Sequence, residues 1–257
     1  MSDLEGNVAV VTGGNGGIGL GLARGLVRAG SAVAIWARDA EKTAAAVKQL
    51  ESLGGTAVGI HCDISDEDEV DRAMEETLDR LGRVDSCFAN AGIPGDAGPF
   101  TQMSLEEWRR VLRVNLDGTF LTLRTAARHM VDRGGGGSLV AISSTAAIHG
   151  TARKAHYGTS KTAILGLVRA LAVELAKDRI RCNAVLPGWT ETDLTRPSGS
   201  FAGSSYQKFV DNTTYRTPVR RWATADDFEA LAVFLADPRH TFHTGDAMVV
   251  DGGYTIF

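Results

Sequence analysis

A glycine-rich loop near the start of the chain, Thr12–Gly19 (TGGNGGIG), places the strongest constraint on the fold. The apolar run Asn7–Thr12 leads into this loop and indicates a buried strand, and leucines with helical spacing follow it. Between a strand and a helix, such a loop lets free N–H groups at the helix N-terminus bind a pyrophosphate. No Lys-Ser/Thr pair follows the last glycine, so the loop is not a P-loop. It predicts a dinucleotide site, with a tight turn that binds nothing as the alternative.

The rest of the chain alternates short apolar runs with helical patterns. This alternation is typical of βαβ units, and therefore of an α/β fold around a parallel sheet. No linker, repeat or low-complexity segment divides the chain, so we predict one domain over residues 1–257. Strands are predicted at residues 7–12, 31–37, 56–60, 84–89, 138–143, 180–186 and 247–251.

Helix starts follow from polar residues that precede the helical patterns. Asp39 is placed to cap the helix after the second strand, and Ser65 with Asp68 to cap the next one. Ser104 and Glu107 form a capping box that opens a long helix towards Met130.

Composition and charge exclude several classes of protein. A formal net charge of −4 and the absence of long basic runs argue against a nucleic-acid partner. The three scattered cysteines lack CxxC spacing, which suits a reducing compartment. The N-terminus lacks the pattern of a signal peptide, and no apolar run reaches the ~18 residues of a membrane span. We therefore expect a cytoplasmic protein with no membrane partner and no metal site.

The segment Ser138–Lys161 gathers side chains that can do chemistry. Tyr157 and Lys161 are four residues apart, so on a helix they share one face. Ser144 follows a strand, at the edge where open parallel sheets place their ligands. Taken singly, a turn serine and a surface Tyr–Lys pair are the simpler interpretations. His156 abuts Tyr157 but is expected to lie on another helix face.

The residues after the second predicted strand bear on the choice of dinucleotide. Arg38 can bind a 2′-phosphate through two parallel hydrogen bonds, and Ala37 beside it carries no charge to repel that phosphate. Asp39 lies about 20 residues after the glycines, where an acid would bind the ribose 2′-hydroxyl of NAD. The capping role of Asp39 is at least as good an explanation. We predict NADP as the cofactor, with NAD as the alternative.

Together these features resemble the short-chain dehydrogenase/reductase family over nearly the whole chain. The resemblance implies a single-domain, Rossmann-type, doubly wound parallel sheet of about seven strands, with a nicotinamide cofactor at the carboxyl ends of the strands. Two departures are Ala89, where a second Asn is common, and Gly16, where NADP users often carry a basic residue. The matching motifs are Thr12-Gly13-x-x-x-Gly17-x-Gly19, Cys62-Asp63-Ile64, Asn90-Ala91-Gly92, Asn115, Ser144, Tyr157-x-x-x-Lys161 and Pro187-Gly188-x-x-x-Thr192.

The cofactor residues come partly from the loop and Arg38 and partly from the resemblance. The resemblance implies that Asp63 and Ile64 meet the adenine, that Asn90 and Gly92 border the adenosine ribose, and that Lys161 holds ribose hydroxyls. The full predicted set is Gly13, Asn15, Gly16, Gly17, Ile18, Gly19, Arg38, Asp63, Ile64, Asn90, Gly92, Tyr157, Lys161 and, at the carboxamide and pyrophosphate, Gly188, Thr190 and Thr192.

The predicted reaction is the interconversion of an alcohol and a ketone. A free tyrosine has a pKa near 10, too high for a base at neutral pH, and a neighbouring ammonium lowers it. Lys161 is therefore expected to lower the pKa of Tyr157, the general acid/base. Ser144, rather than Ser143, is expected to hold the substrate oxygen. The resemblance implies that Asn115 holds a water that links Lys161 to solvent. A nucleotide-sensing regulatory protein without catalysis is the alternative.

Substrate recognition is assigned to three segments, Gly92–Pro99, Ala146–Lys154 and residues 189–222. The last is irregular in sequence, and its aromatics favour an apolar or ring-bearing substrate, with packing inside the segment as the alternative for half of them. The helix Ala155–Ala176 is apolar almost all round, which predicts a homo-oligomer, a tetramer or a dimer. The aromatics are Trp189, Phe201, Tyr206, Phe209, Tyr215 and Trp222.

Overall fold

The computed structural model describes residues 4–195 and 204–257 and contains one parallel sheet. Its strand order is β3-β2-β1-β4-β5-β6-β7, and each adjacent pair is parallel. The strands are β1 (Val8–Thr12), β2 (Ala32–Ala37), β3 (Ala57–His61), β4 (Ser86–Ala89), β5 (Gly137–Ile142), β6 (Ile180–Pro187) and β7 (Ala247–Val250). The predicted doubly wound sheet is confirmed, with strand ends within two residues of the predicted ones.

Helices cover both faces of the sheet. Because both faces are buried, neighbouring strand residues enter different cores: Val10 and Cys87 contribute to one, Val11 and Phe88 to the other. The helices are α1 (Gly17–Arg28), α2 (Ala40–Glu51), α3 (Glu67–Leu81), α4 (Leu105–Leu112), α5 (Gly118–Arg133), α6 (Ala155–Glu174), α7 (Ser204–Arg216) and α8 (Glu229–Ala236). Helices α3, α5 and α6 pack on the first core and α1, α2 and α8 on the second.

The strand order reverses between β1 and β4, and this reversal opens a crevice at their carboxyl ends. Hydrogen bonds tie the two strand ends together there. The Thr12 hydroxyl accepts from the backbone N–H groups of Asn90 and Ala91, each at 3.0 Å. The Asn90 side chain donates back to the Thr12 carbonyl at 2.9 Å. The loop after β1 and the turn after β4 therefore face one another across a fixed gap.

Three local features differ from the sequence-based expectations. Helix α3 is capped by Asp66, whose carboxylate accepts from the Glu69 N–H at 3.1 Å, and not by Ser65. Ser65 instead donates its N–H and its hydroxyl to Asp63. The long helix towards Met130 is interrupted by a π-helical turn, Arg113–Asp117. The irregular segment at residues 189–222, called the insert below, contains helix α7, which its mixed polar and aromatic sequence did not reveal. None of the described helices is long and apolar enough to cross a membrane.

Candidate active site

A cleft of about 490 Å³ lies at the carboxyl ends of the strands, beside the β1–β4 crevice. It brings together 16 of the predicted site residues, which are Gly13, Asn15, Gly16, Gly17, Ile18, Arg38, Asp63, Ile64, Asn90, Gly92, Ser144, Tyr157, Lys161, Gly188, Thr190 and Thr192. The other two predicted site residues, Gly19 and Asn115, do not line the cleft but contact residues that do. A Cβ at Gly19 would lie 2.4 Å from the Gly13 carbonyl oxygen, so this glycine lets the loop fold tightly.

The glycine loop has the backbone needed to hold an anion. Gly13 and Gly17 have φ angles of +65° and +49°, which favour glycine. Helix α1 begins at Gly17, and its N-cap residue, Gly16, makes no side-chain capping bond to the first turn. The first-turn N–H groups and the helix dipole therefore point at the cleft. This arrangement fits the pyrophosphate of a dinucleotide.

Charged side chains mark the end of the cleft near β2 and β3. The Arg38 guanidinium lies 3.5 Å from an Asp63 carboxylate oxygen. Burial works to raise the pKa of Asp63, but hydrogen bonds from Ser65 and the nearby Arg38 outweigh it and hold the pKa below its ordinary value. Asp39 caps α2 by accepting from the Lys42 N–H at 3.0 Å, as predicted.

Lys42 is a cleft residue that the sequence reasoning missed. Its Nζ lies 3.0 Å from an Asp193 carboxylate oxygen, so an ion pair joins α2 to the segment that follows β6. The signal was present, because a helix capped at Asp39 places Lys42 in its first turn, facing the same strand ends as Arg38. This end of the cleft therefore offers two cations.

Tyr157, Ser144 and Lys161 meet on the opposite wall. The Ser144 hydroxyl hydrogen-bonds the Tyr157 phenol and also accepts from the Ala146 N–H at 3.1 Å. The Lys161 Nζ lies 5.8 Å from the centre of the Tyr157 ring. Ser143 is only 3% exposed, and its hydroxyl donates to the Lys161 carbonyl at 2.7 Å. Ser144 is therefore the serine whose hydroxyl meets the phenol, while Ser143 anchors the helix.

The pKa of Tyr157 differs in direction from the expectation. Burial raises this pKa above its ordinary value, and the hydrogen bond from Ser144 opposes the shift without reversing it. Burial also lowers the pKa of Lys161 to about 8, and its Nζ donates to the Ile142 carbonyl at 2.8 Å. The expected lowering of the Tyr157 pKa by Lys161 is therefore wrong for the protein alone, where burial sets the direction of the shift and only Ser144 opposes it.

Asn115 lies in the π-helical turn, fully buried beneath the cleft. Its side-chain oxygen accepts from the Ile93 N–H at 2.8 Å, and its amide donates to the Ile93 carbonyl and to the Ser160 hydroxyl. A Cβ added to Gly92 would lie 3.1 Å from the Asn115 oxygen and 3.5 Å from the Lys161 Nζ. Asn115 thus fixes the loop after β4 against α6 beside the lysine.

The described aromatics of the insert pack on one another rather than on the cleft. Trp189 makes an edge contact with Phe209 at 4.8 Å and stacks with Trp222 at 5.6 Å between ring centres. Tyr206 meets Trp222, whereas Tyr215 is 72% exposed and has the Arg220 guanidinium over its ring. Phe201 lies outside the described residues. None of these described aromatics lines the cleft, which favours the packing alternative.

Metal-ligating side chains do not gather in the described part of the chain, where no group of three or more His, Cys, Asp or Glu residues could hold an ion.

The doubly wound sheet and the cradle at the N-terminus of α1 define a dinucleotide-binding protein of the Rossmann type.

Comparison with known proteins identifies the family. The model described as enoyl-(acyl carrier protein) reductase matches residues 13–255. L-rhamnose 1-dehydrogenase (NAD(P)(+)) from Sphingomonas sp. (strain SKA58) is 34% identical over 258 residues, covering 100% of this chain and 99% of that protein. 3-Oxoacyl-acyl-carrier-protein reductase from Chlamydia pneumoniae is 32% identical, covering 98% of each. The chain belongs to the short-chain dehydrogenase/reductase family of oxidoreductases.

A solved structure agrees with this assignment. Gluconate 5-dehydrogenase from Burkholderia cenocepacia J2315, in complex with NADP and tartrate, superposes with a TM-score of 0.90 at 34% identity. The match covers 99% of this chain and 97% of that one.

Proposed function

We propose that this protein is an NADP(H)-dependent oxidoreductase that interconverts a secondary alcohol and a ketone, with Tyr157 as the general acid/base. The observation that carries the proposal is the meeting of the Tyr157 phenol with Ser144 and Lys161 on the wall of the cleft that also holds the glycine loop. A non-catalytic nucleotide sensor would need the cleft but not this set of side chains.

The chain's own residues move the proton and hold the substrate oxygen. A bound nicotinamide would accept or supply the hydride. The Tyr157 oxygen takes the hydroxyl proton during oxidation and returns it during reduction. The Ser144 hydroxyl, already beside the phenol, holds the substrate oxygen as charge develops on it. Lys161 lies beneath the ring, and its ammonium favours the phenolate. We assign to Asn115 the water that links this lysine to solvent.

The residues present fit a dinucleotide along the whole cleft. Helix α1 begins at Gly17, and a Cβ added there would lie 2.9 Å from the Thr192 methyl group. Gly17 therefore presents only its backbone at the pyrophosphate position. Arg38 and Lys42 would hold the 2′-phosphate of NADP, and Asp63 and Ile64 the adenine. The NADP in the related gluconate dehydrogenase structure supports this choice over NAD.

The Arg38→Ala variant tests the cofactor preference. We expect its dissociation constant for NADP to rise about 10- to 100-fold, the size of one or two charge-assisted hydrogen bonds, with little change for NAD. Fluorescence titration with both dinucleotides measures it. Lys48→Ala, which removes a charge from α2 outside the cleft, is the control. Equal losses for NADP and NAD would return the choice to NAD.

A screen of alcohols with NADP⁺ and of ketones with NADPH tests the function itself. It should include cyclic and ring-bearing compounds, sugars, sugar acids and 3-oxoacyl thioesters, because the relatives act on several of these classes. Turnover of at least one pair in both directions is expected. Tight cofactor binding with no turnover across all classes would favour the nucleotide-sensing alternative.

The proposal extends to substrate contacts, location and assembly. We assign the substrate side of the site to Gly92–Pro99, to Ala146–Lys154 and to the described part of residues 189–222. A cytoplasmic location is supported by the three cysteines, which are all free thiols.

The homo-oligomer, a tetramer or a dimer, is supported by apolar exposure on α6. Val173 on this helix is 81% exposed. Light scattering at micromolar concentration is expected to give a multiple of the 27.2 kDa chain mass. A monomer would contradict this part of the proposal.

A further inference from the structure

His156, next to the proposed acid/base, is fully buried and joins two parts of the site. Its Nδ1 accepts a hydrogen bond from the Tyr157 backbone N–H at 2.7 Å. Its Nε2 lies 3.1 Å from the carbonyl oxygen of Asp96, which belongs to the loop between β4 and α4. The sequence placed this ring on another helix face, but the ring nitrogen turns back to the backbone of Tyr157.

The partners of His156 determine which nitrogen carries the proton. A backbone N–H can only donate, so Nδ1 must be unprotonated. A carbonyl oxygen can only accept, so Nε2 must carry the proton in the neutral ring. The imidazole therefore bridges the two elements: it accepts a hydrogen bond from the Tyr157 N–H and donates one to the Asp96 carbonyl of the loop.

A carboxylate strengthens the loop end of this bridge. A Glu107 side-chain oxygen accepts from the Asp96 N–H at 2.6 Å and lies 3.4 Å from His156 Nε2. Hydrogen bonds from Arg110 are the main cause that holds the pKa of Glu107 below its ordinary value, so this group is a carboxylate. Three further charged side chains lie at this junction: Lys154, whose Nζ lies 3.4 Å from the Pro94 carbonyl, and Arg110 and Asp96, whose charged groups lie 3.8 Å apart.

The loop follows the shape of the ring closely at one position. Gly95 has a φ angle of +64°, and a Cβ there would lie 2.7 Å from His156 Cε1 and 2.8 Å from Nε2. The same Cβ would lie 2.6 Å from Val111 Cγ2, so glycine leaves room for both the buried imidazole and Val111, in a backbone conformation that favours glycine. Gly98, three residues later in the same loop, has open space where a Cβ would be.

We propose that His156 is a positioning residue that sets the backbone of Tyr157 through Nδ1 and the substrate loop at Asp96 through Nε2–H. Coupling these two elements fixes the distance between the acid/base and the substrate. The catalytic meaning of this bridge rests on the proposed function, whereas the bridge itself does not.

Nitrogen-15 NMR of the protein labelled at histidine tests the bridge without any substrate. His156 should show an unprotonated Nδ1 and a protonated Nε2, assigned by loss of the signals in His156→Gln. A ring with its proton on Nδ1 would overturn the proposal. Absence of turnover in the substrate screen, by contrast, would count against the proposed function and leave this result standing.

Two conservative variants separate the two ends of the bridge. His156→Asn keeps an acceptor at the Nδ1 position and loses the bond to Asp96, so KM for the substrate should rise about 2- to 10-fold with kcat nearly kept. His156→Gln keeps a donor within reach of Asp96 and loses the acceptor for the Tyr157 N–H, so kcat should fall by a similar factor with KM nearly kept. Equal changes of both constants in the two variants would mean that the residue only packs, and would overturn the positioning role.

A matched pair of loop variants tests the same junction from the other side. Gly95→Ala should displace the ring or the loop and raise KM several-fold more than Gly98→Ala, which adds the same methyl group in open space. Thermal unfolding of all variants shows whether they remain folded under the assay conditions. Equal KM values for the two alanine variants would contradict the coupling of loop and ring.

Discussion

The Tyr157→Phe variant is expected to lose turnover by about 10²- to 10⁴-fold, the usual size of a general acid/base contribution. Phenylalanine keeps the ring that lines the cleft and removes only the oxygen that transfers the proton. Ser144 loses its hydrogen-bond partner but remains in place, because its hydroxyl also accepts from the Ala146 N–H. The dissociation constant for NADP should change little. Steady-state rates and fluorescence titration measure the two quantities on the same preparation.

Tyr254→Phe is the matched control for this prediction. Tyr254 is also buried, but its ring packs against His149, Trp189 and the Arg216 guanidinium and does not line the cleft. Loss of its hydroxyl should leave turnover unchanged. If Tyr157→Phe retained the rate of the wild type, another group would have to supply the proton, and the proposed function of Tyr157 would be wrong.

The Lys161→Met variant is expected to lose activity and, at the same time, to gain stability. Burial lowers the pKa of Lys161 from 10.5 to about 8, which costs the folded state about 3 kcal/mol at neutral pH. Methionine is of similar length and carries no charge, so it removes this cost. Loss of the hydrogen bond from Nζ to the Ile142 carbonyl reduces this gain in stability by about 1 kcal/mol. The free energy of unfolding should therefore rise by about 2 kcal/mol.

The pH dependence of this gain has a definite sign. Below pH 8 the lysine is charged in both the folded and the unfolded state, so the folded wild type bears the full cost. Between the folded pKa of about 8 and the unfolded pKa of 10.5, the folded state binds fewer protons, and the stability of the wild type rises with pH. The advantage of Lys161→Met should therefore shrink between about pH 7 and about pH 10.

Urea denaturation of both proteins across this range measures the difference. Lys177→Met, at an exposed lysine beyond the end of α6, should give no comparable gain. A variant that is less stable than the wild type at neutral pH, or an advantage that does not change with pH, would contradict the assigned cost of burying the ammonium. A stabilised protein without activity would mean that Lys161 is required for activity although it lowers the stability of the fold.

Much of the fold followed from local patterns. The apolar runs at the strands predicted a parallel sheet because strands buried on both faces must be apolar throughout. The Asp39 cap of α2 was predicted from its position alone, and the structure confirms it. The cap of α3 was not, because Ser65 and Asp66 are adjacent candidates and the carboxylate of Asp63 takes up Ser65. Competition between neighbouring polar groups is invisible to a pattern of residue types.

The irregular insert shows the same limit on a larger scale. The aromatic Phe209 of helix α7 packs on Trp189 and Trp222. The buried face of this helix therefore becomes evident only when these partners are in place. The sequence offered aromatics for a substrate, but Trp189, Tyr206, Phe209 and Trp222 pack on one another. His156 was likewise misplaced, because its contact with Asp96 joins residues distant in sequence. Lys42 was missed although the Asp39 cap places it in the first turn of α2.

The sequence by itself determined the family, the parallel sheet and the residues that meet at the cleft. It could do so because a strand, a glycine turn and a helix N-terminus are local structures, and because Tyr157 and Lys161 share a helix face at their spacing. Only the tertiary structure decided the direction of the Tyr157 pKa and the anchoring of Ser143. It also decided the bridge from His156 to the loop. These depend on burial and on partners brought close by packing, and no residue carries that information alone.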